Sequence, residues 1–152
     1  MKVPHEVKFV SLKECYENPV SAAPDGFLPM DMSFWGRSAN IHAGVRACHQ
    51  FFSQHKKYPH ADKFNEADEA AILEITKSYK LEELNEDVVK SVSRYSNSSI
   101  TCLCAFFGGI VAQEVVKYTG KYSPLRQWLH YDIAECVPAE ANREPMGNRY
   151  DD

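Results

Sequence analysis

Apolar residues recur at helical spacing through much of this chain. In residues 38–56, four of them (Ile41, Val45, Cys48 and Phe52) are separated by four, seven and eleven positions, counted from the first. This spacing marks one face of a helix with 3.6 residues per turn. The pattern therefore predicts a long helix over this stretch, with these four side chains on its buried face.

Two further helices are predicted, each preceded by an asparagine that can accept a hydrogen bond from the first helical turn. Asn65 precedes the helix predicted over residues 66–80, and Asn85 precedes the helix predicted over residues 86–95. The predicted buried side chains are Ala71, Ile72, Ile75 and Tyr79 in the first helix, and Val88, Val89, Val92 and Tyr95 in the second.

The N-terminal quarter of the chain is less regular. Ser11 can cap a short helix over residues 11–17, because a glutamate follows three residues later and Pro19 stops the helix. Residues 1–10 are predicted to form an extended arm. Prolines and an Asp-Gly pair predict an irregular loop over residues 18–36.

The most apolar stretch is a helix predicted over residues 99–119. Its apolar stripe is wide enough that we expect burial on more than one side. The adjacent glycines Gly108 and Gly109 destabilise a helix by about 2 kcal/mol relative to alanines, so we interpret them as a notch for another backbone. Residues 127–134 predict a strand that is apolar on both faces. The chain is thus predicted to be mainly α, a bundle of about four helices with one or two short β-strands.

The predicted strand has almost no other strand in this chain to pair with. Burying its Trp, Leu and Ile side chains would stabilise the fold by about 1.5–3 kcal/mol each. We therefore expect one of three arrangements. The segment pairs with residues 1–10, packs on the apolar helix through Phe106 and Phe107, or pairs with a second copy of the chain.

Composition and charge exclude several classes of protein. The 152 residues are 44% hydrophobic and 12% aromatic, which suits a single domain with a core. With 17 basic and 21 acidic residues the net charge is −4, which disfavours a nucleic-acid binder. We also expect no membrane association and a cytoplasmic or nuclear location, since no apolar run reaches a membrane span and no signal core is visible. Five cysteines without a framework spacing favour free thiols.

The reactive side chains form no recognisable catalytic or metal-binding set. His42 and His49 lie on roughly one helix face, but without further ligands they are interpreted as packing or hydrogen-bonding groups and zinc is rejected. Cys102 and Cys104 point away from each other on a helix and are expected to be small buried thiols. Cys15 is expected to be the most exposed thiol, without the basic surroundings of a nucleophile. No catalytic, cofactor-binding or metal-binding residue is predicted.

The apolar helix and the segment after it carry a family resemblance. Residues 104–117, CAFFGGIVAQEVVK, resemble the AFIGGLAAQEVMK helix of ubiquitin-activating enzymes. Residues 127–132, QWLHYD, and residues 135–138, ECVP, resemble QWLYFDALECLP in the same family.

The rest of the chain extends this resemblance. Residues 42–51 are similar to the family's QLH.GFQALHQF, and residues 148–151, NRYD, resemble the NRYDGQ that opens the active adenylation half. The chain departs from the family at residues 36–38, at Val45 and at Asp152.

The resemblance implies an internal piece of a single-chain ubiquitin-activating enzyme. Residues 1–10 would be an extended arm and residues 11–98 the helical bundle. Residues 99–138 would return a helix and a strand to the larger α/β sheet of the inactive adenylation half, and residues 139–152 would link to the active half. Cys136 matches a strand-end cysteine of the family, which is not the nucleophile.

The implied function is that of a non-catalytic scaffold within an ATP-dependent ligase. The parent enzyme would adenylate the carboxy terminus of ubiquitin, capture it as a thioester and pass it to conjugating enzymes. ATP and magnesium would bind the parent, and the partners would be the rest of the parent chain and, through it, ubiquitin and ubiquitin-conjugating enzymes. Two alternatives stay open: the non-catalytic subunit of a heterodimeric activating enzyme for another ubiquitin-like modifier, and a free-standing helical interaction module.

Overall fold

The computed structural model describes residues 10–17, 19, 37–119, 124–125 and 128–132. Within these residues the chain forms five helices: α1 (Leu12–Glu17), α2 (Arg37–His55), α3 (Glu66–Ser78), α4 (Glu86–Tyr95) and α5 (Thr101–Lys117). The predicted, mainly helical fold is confirmed. The predicted arm at residues 1–10, except its last residue, and the predicted tail after residue 138 lie outside the described residues, as does nearly all of the predicted loop.

Three of these helices begin at a side chain that accepts a hydrogen bond from the first helical turn, as the sequence predicts. The Asn65 side chain accepts a hydrogen bond from the Ala67 amide at 2.9 Å, and Asn85 accepts one from the Val88 amide at 3.2 Å. Ser11 does the same for α1, at 3.2 Å from the amide three residues on. Each bond satisfies a backbone N–H that has no partner within the helix.

Helices α2, α3 and α4 pack against one another and enclose the core. The core consists of five buried side chains contributed by these three helices: Ala47, Cys48, Phe51, Ile72 and Val89. Half-buried apolar side chains of α3, α4 and their connection cover its edge.

The buried face of α2 is displaced from the predicted one. Phe51 is 2% exposed, whereas Phe52, which the periodicity placed on the buried face, is 40% exposed. On α4 the predicted core residue Tyr95 is exposed, and Ser93 is buried instead. The physical reason is that α2 contacts both α3 and α4, so the centre of its buried arc depends on where those helices lie.

Two residues of α2 set the positions of its neighbours. The buried Asn40 side chain donates a hydrogen bond to the Glu83 carbonyl at 3.2 Å and accepts one from the Asn85 amide at 2.9 Å. Gly44 permits close approach of α4, because a Cβ at this position would lie 3.1 Å from the Val92 side chain. Both contacts fix the position of α4 relative to α2.

The predicted strand over residues 127–134 is described at residues 128–132, which we call the returning segment. Among these residues Tyr131 alone has the geometry of a β-bridge, so the expected continuous strand is not formed by them. A strand is stabilised by backbone hydrogen bonds along a neighbouring strand. The Tyr131 ring also packs on α5, with centroids 5.0 Å from Phe106 and 6.1 Å from Phe107. Packing on the apolar helix is therefore confirmed, whereas pairing with the arm stays a prediction because residues 1–9 lie outside the described residues.

Candidate interaction surface

Helix α5 exposes a large apolar surface. It is rich in apolar residues, yet none of its residues is buried, and it packs against none of the other helices that the structure describes. Val111 and Val115 are 60% and 68% exposed, and Val116 is exposed beside them. We call these three valines the α5 surface. A helix that is apolar on most sides normally lies inside a larger protein, so this surface is suited to contact with another protein body.

The glycine pair and the cysteines of α5 correct the sequence expectations. A Cβ on Gly108 or Gly109 would meet nothing within 4 Å, so no backbone from the described residues fills the predicted notch. Cys102 and Cys104 are exposed rather than buried, and Cys15, expected to be the most exposed thiol, is half-buried. The expectations for the glycines, Cys102 and Cys104 were wrong because they assumed that this chain covers α5 itself, whereas Cys15 lies where the returning segment contacts α1.

Replacing both Gly108 and Gly109 with alanine should therefore stabilise α5 by about 0.8–1 kcal/mol per substitution. The added methyl groups meet open space, while the unfolded chain loses the extra conformational freedom of two glycines. The measurement is far-UV circular dichroism during thermal unfolding. Gly44→Ala is the matched control: it should destabilise the chain, because its Cβ would press on Val92. A destabilised G108A/G109A variant would contradict the open surface.

The returning segment joins α5 to the helical bundle. The Trp128 indole Nε1 donates a hydrogen bond to the Cys15 carbonyl of α1 at 3.1 Å. Asp132 is buried and forms an ion pair with Arg37 at the start of α2. Together with the Tyr131 ring on α5, these contacts connect three helices through one short stretch of chain.

His42 of α2 lies at the centre of this junction. Its Nε2 donates a hydrogen bond to the Tyr16 carbonyl at 2.8 Å, and its Nδ1 lies 3.1 Å from His130 Nε2. Burial lowers the pKa of His42, and the bond to the Tyr16 carbonyl only partly opposes this effect. His49 Nδ1 and the Tyr16 hydroxyl share a hydrogen bond of 3.0 Å. The prediction that the two helix histidines serve as packing and hydrogen-bonding groups is confirmed.

Arg46 connects α1, α2 and α3 by stacking on two tyrosines. Its guanidinium lies 5.5 Å from the ring centre of Tyr16 and 4.5 Å from that of Tyr79. Its Nη1 also donates a hydrogen bond to the Glu17 carbonyl at 3.2 Å. Burial raises the pKa of both tyrosines, and Arg46 offsets part of this effect. The cation thus lies on two neutral rings, where it is attracted to their faces.

Glu114 fixes the turn that follows α5. Its carboxylate pairs with Lys117 and accepts a hydrogen bond from the Leu125 amide at 2.7 Å. Burial raises the pKa of this carboxyl, but the bonds from Lys117 and Leu125 outweigh burial and place the pKa below its ordinary value. Glu114 therefore stays ionised and holds the chain where it leaves the helix.

The core of the helical bundle also contains one cysteine, Cys48. Burial raises the pKa of the Cys48 thiol to about 11, so this cysteine remains protonated at neutral pH and is a poor nucleophile. None of the described helices is long and apolar enough to cross a membrane.

Sequence reasoning missed several residues that build this junction. Tyr16, Arg46, His130 and Glu114 all bridge separate elements, and no local spacing pattern reveals such contacts. His42 and His130 are 88 positions apart, so their pairing depends on how the returning segment crosses the bundle.

A helical bundle that carries an uncovered apolar helix is a building block of a larger protein. The family model for the ubiquitin-activating enzyme E1 four-helix bundle matches residues 3–80. Over 99% of its length, the chain is 33% identical to the ubiquitin-like modifier-activating enzyme 1 of Rattus norvegicus and covers 15% of that protein. The corresponding protein of Homo sapiens is 32% identical over 92% of the chain, which covers 13% of it. Ubiquitin-activating enzyme E1 2 of Arabidopsis thaliana is 30% identical over 99% of the chain, which covers 14% of it.

The chain belongs to the ubiquitin-activating enzyme E1 family. The resemblance noted in the sequence is thus confirmed, and with it the helical bundle. The chain spans about 15% of the length of these relatives. The family model ends at residue 80, whereas the similarity to the rat and Arabidopsis proteins extends over 99% of the chain.

Proposed function

We propose that this chain is a non-catalytic scaffold within a ubiquitin-activating enzyme. The parent enzyme uses ATP and magnesium to adenylate the carboxy terminus of ubiquitin and then captures ubiquitin as a thioester. It passes the thioester to ubiquitin-conjugating enzymes. The scaffold holds the helical bundle in register with the adenylation core, and the reacting groups belong to other parts of the parent.

The exposure of α5 is the observation that carries this proposal. Each buried valine stabilises a contact by about 1.5–3 kcal/mol, so the α5 surface offers a substantial driving force for association. The rest of the parent is the proposed occupant, because the chain corresponds to 15% of the rat relative and the remainder of such an enzyme is available to cover α5. The returning segment would transmit the position of the covered helix to the bundle through Tyr131 and Asp132.

The adjacent glycines of α5 do not fit the phosphates of a nucleotide. Gly108 and Gly109 lie inside α5, where backbone amides bond within the helix. A phosphate site needs amides that point freely from a turn between a strand and a helix. We therefore assign no step of the reaction to residues of this chain. We assign the binding of ATP and magnesium to other parts of the parent.

A chimeric enzyme tests the proposal. In it, this chain replaces the matching segment of the Homo sapiens ubiquitin-like modifier-activating enzyme 1, and ubiquitin thioester formation is measured with ATP and magnesium. We expect the chimera to form the thioester. Val111→Asp combined with Val115→Asp should reduce the rate more than about tenfold, because burying two unpaired carboxylates is strongly unfavourable.

The control is Tyr95→Asp, which places one carboxylate on an equally exposed apolar site of α4 and is compared with each single substitution, Val111→Asp and Val115→Asp. Tyr95 is 67% exposed, close to the value for Val115. This variant should leave thioester formation within about twofold of the unmodified chimera, as expected for a surface substitution. The chain alone should not exchange pyrophosphate into ATP when ubiquitin is added. Exchange by the chain alone, or full activity of the V111D/V115D chimera, would refute the proposal.

A further inference from the structure

The returning segment meets the bundle through a hydrogen bond between two imidazoles. His42 Nδ1 and His130 Nε2 are 3.1 Å apart, and the rings are nearly perpendicular at 88°. Because His42 Nε2 already donates to the Tyr16 carbonyl, its Nδ1 is the acceptor in the neutral ring. His130 is therefore the donor of this bond.

This bond tolerates one added proton but not two. With one added proton, a single N–H still lies between the two facing nitrogens, whichever ring carries the charge. With two added protons, both facing nitrogens carry hydrogen and both rings are cationic, so donors of like charge face each other across 3.1 Å. We propose that His42 and His130 form a pH-dependent latch that releases the returning segment when both rings are protonated. This inference does not depend on the proposed function.

The groups around the latch favour the uncharged pair. Tyr16 of α1 and Arg46 of α2 face His42, and Asp132 follows His130 in the segment and is paired with Arg37. Burial lowers the pKa of His42. The Tyr16 carbonyl opposes this shift, and the charges of His130 and Arg46 add to it. A lowered pKa in the docked state means that docking is strongest above the ordinary histidine pKa of about 6.5 and weakens as the pH falls below it.

Trp128 provides a local signal for the state of the latch. Its indole N–H is bonded to the Cys15 carbonyl, and its ring lies 5.4 Å from the His42 ring. The core of α2, α3 and α4 contains neither histidine of the latch nor Trp128 and is held by apolar contacts. Opening of the latch should therefore change the environment of Trp128 and leave the helices intact.

The test follows the Trp128 indole resonance of the nitrogen-15-labelled chain by NMR between about pH 7.5 and pH 5, the range in which histidines titrate. Trp128→Phe assigns the resonance. We expect a docked signal at the upper pH and, at the lower pH, a solvent-exposed signal whose protection from exchange with water, relative to a free indole at the same pH, is at least about tenfold lower. Far-UV circular dichroism should change little over the same range.

Two substitutions distinguish the latch from other histidine effects. In His130→Gln the amide can donate to neutral His42 and accept from protonated His42, so Trp128 should stay docked at both pH values. His49→Gln is the matched control: it removes another histidine of the junction and should keep the transition. The latch is refuted if the wild-type segment stays docked at the lower pH, if H130Q undocks like the wild type, or if H49Q abolishes the transition. Loss of helical signal together with undocking would also refute it, because global unfolding would then be the cause.

A measurement on the wild-type chain tests the geometry without any substitution. A long-range proton–nitrogen spectrum identifies which ring nitrogen of each histidine carries hydrogen. At the upper pH the latch requires His42 protonated on Nε2 and not on Nδ1. The opposite tautomer would overturn the proposal, whatever the variants do.

Discussion

Replacing Phe51 with alanine is expected to lower the free energy of unfolding by about 3–5 kcal/mol. The ring is 2% exposed and lies in the core with Ala47, Ile72 and Val89. Its removal loses the transfer free energy of a large apolar side chain and leaves a cavity that three packed helices cannot easily close. Urea unfolding followed by far-UV circular dichroism measures the change.

Phe52→Ala is the matched control, since it removes the same side chain one position away. Phe52 is 40% exposed and contacts Tyr58, with ring centres 4.8 Å apart. We expect a loss of about 1 kcal/mol, consistent with one aromatic contact at the surface. Equal losses at both positions, or a larger one at Phe52, would support the face predicted from periodicity over the one in the structure.

Removing the Asp132 carboxylate is expected to weaken docking of the returning segment by about 1.5–3 kcal/mol, the range for a hydrogen bond to a charged group. The Asp132 side chain is 7% exposed and that of Arg37 is 31% exposed, so the pair is shielded from water on one side only. The loss should therefore stay below the 3–5 kcal/mol or so found when fully buried pairs are broken. Hydrogen exchange of the Trp128 indole in Asp132→Asn measures the docking free energy.

A double-mutant cycle isolates the contribution of this ion pair. Arg37→Met keeps the apolar stem of the arginine, and combining it with Asp132→Asn should give a coupling energy of about 1–2 kcal/mol. Lys13→Ala is the control, because Lys13 forms an exposed ion pair with Glu17 at 4.0 Å. Its effect should stay under about 0.5 kcal/mol. A coupling energy near zero would show that Asp132 docks the segment through other contacts.

The helices were predictable because their signals are local. Asn65 and Asn85 stand directly before the turns that they cap, and both caps occur in the structure. The face of α2 was less predictable, since Ile41, Val45, Cys48 and Phe52 fit a helical period while the buried arc includes Phe51. A period gives the spacing of a stripe, but the neighbouring helices select which stripe is buried.

The junction was not predictable in this way. His42 and His130 are 88 positions apart, and Arg37 and Asp132 are 95 apart. No short-range pattern connects such residues, because their contact depends on the path of the chain between them. The sequence nevertheless predicted packing on Phe106 and Phe107 as one of three arrangements for the returning segment, since its apolar side chains needed a partner.

By itself, the sequence determined the helices, their caps and the family. Hydrogen bonds within a helix join residues that are close in sequence, and the family motifs are short runs of consecutive residues. The tertiary structure decided which residues form the core, how His42 and Asp132 hold the returning segment, and that α5 lies uncovered within the described residues. The apolar composition of α5 indicates that another part of a protein must cover the helix. Whether this chain supplies that partner depends on long-range packing. In the structure α3 and α4 pack against α2, and the returning segment packs against α5.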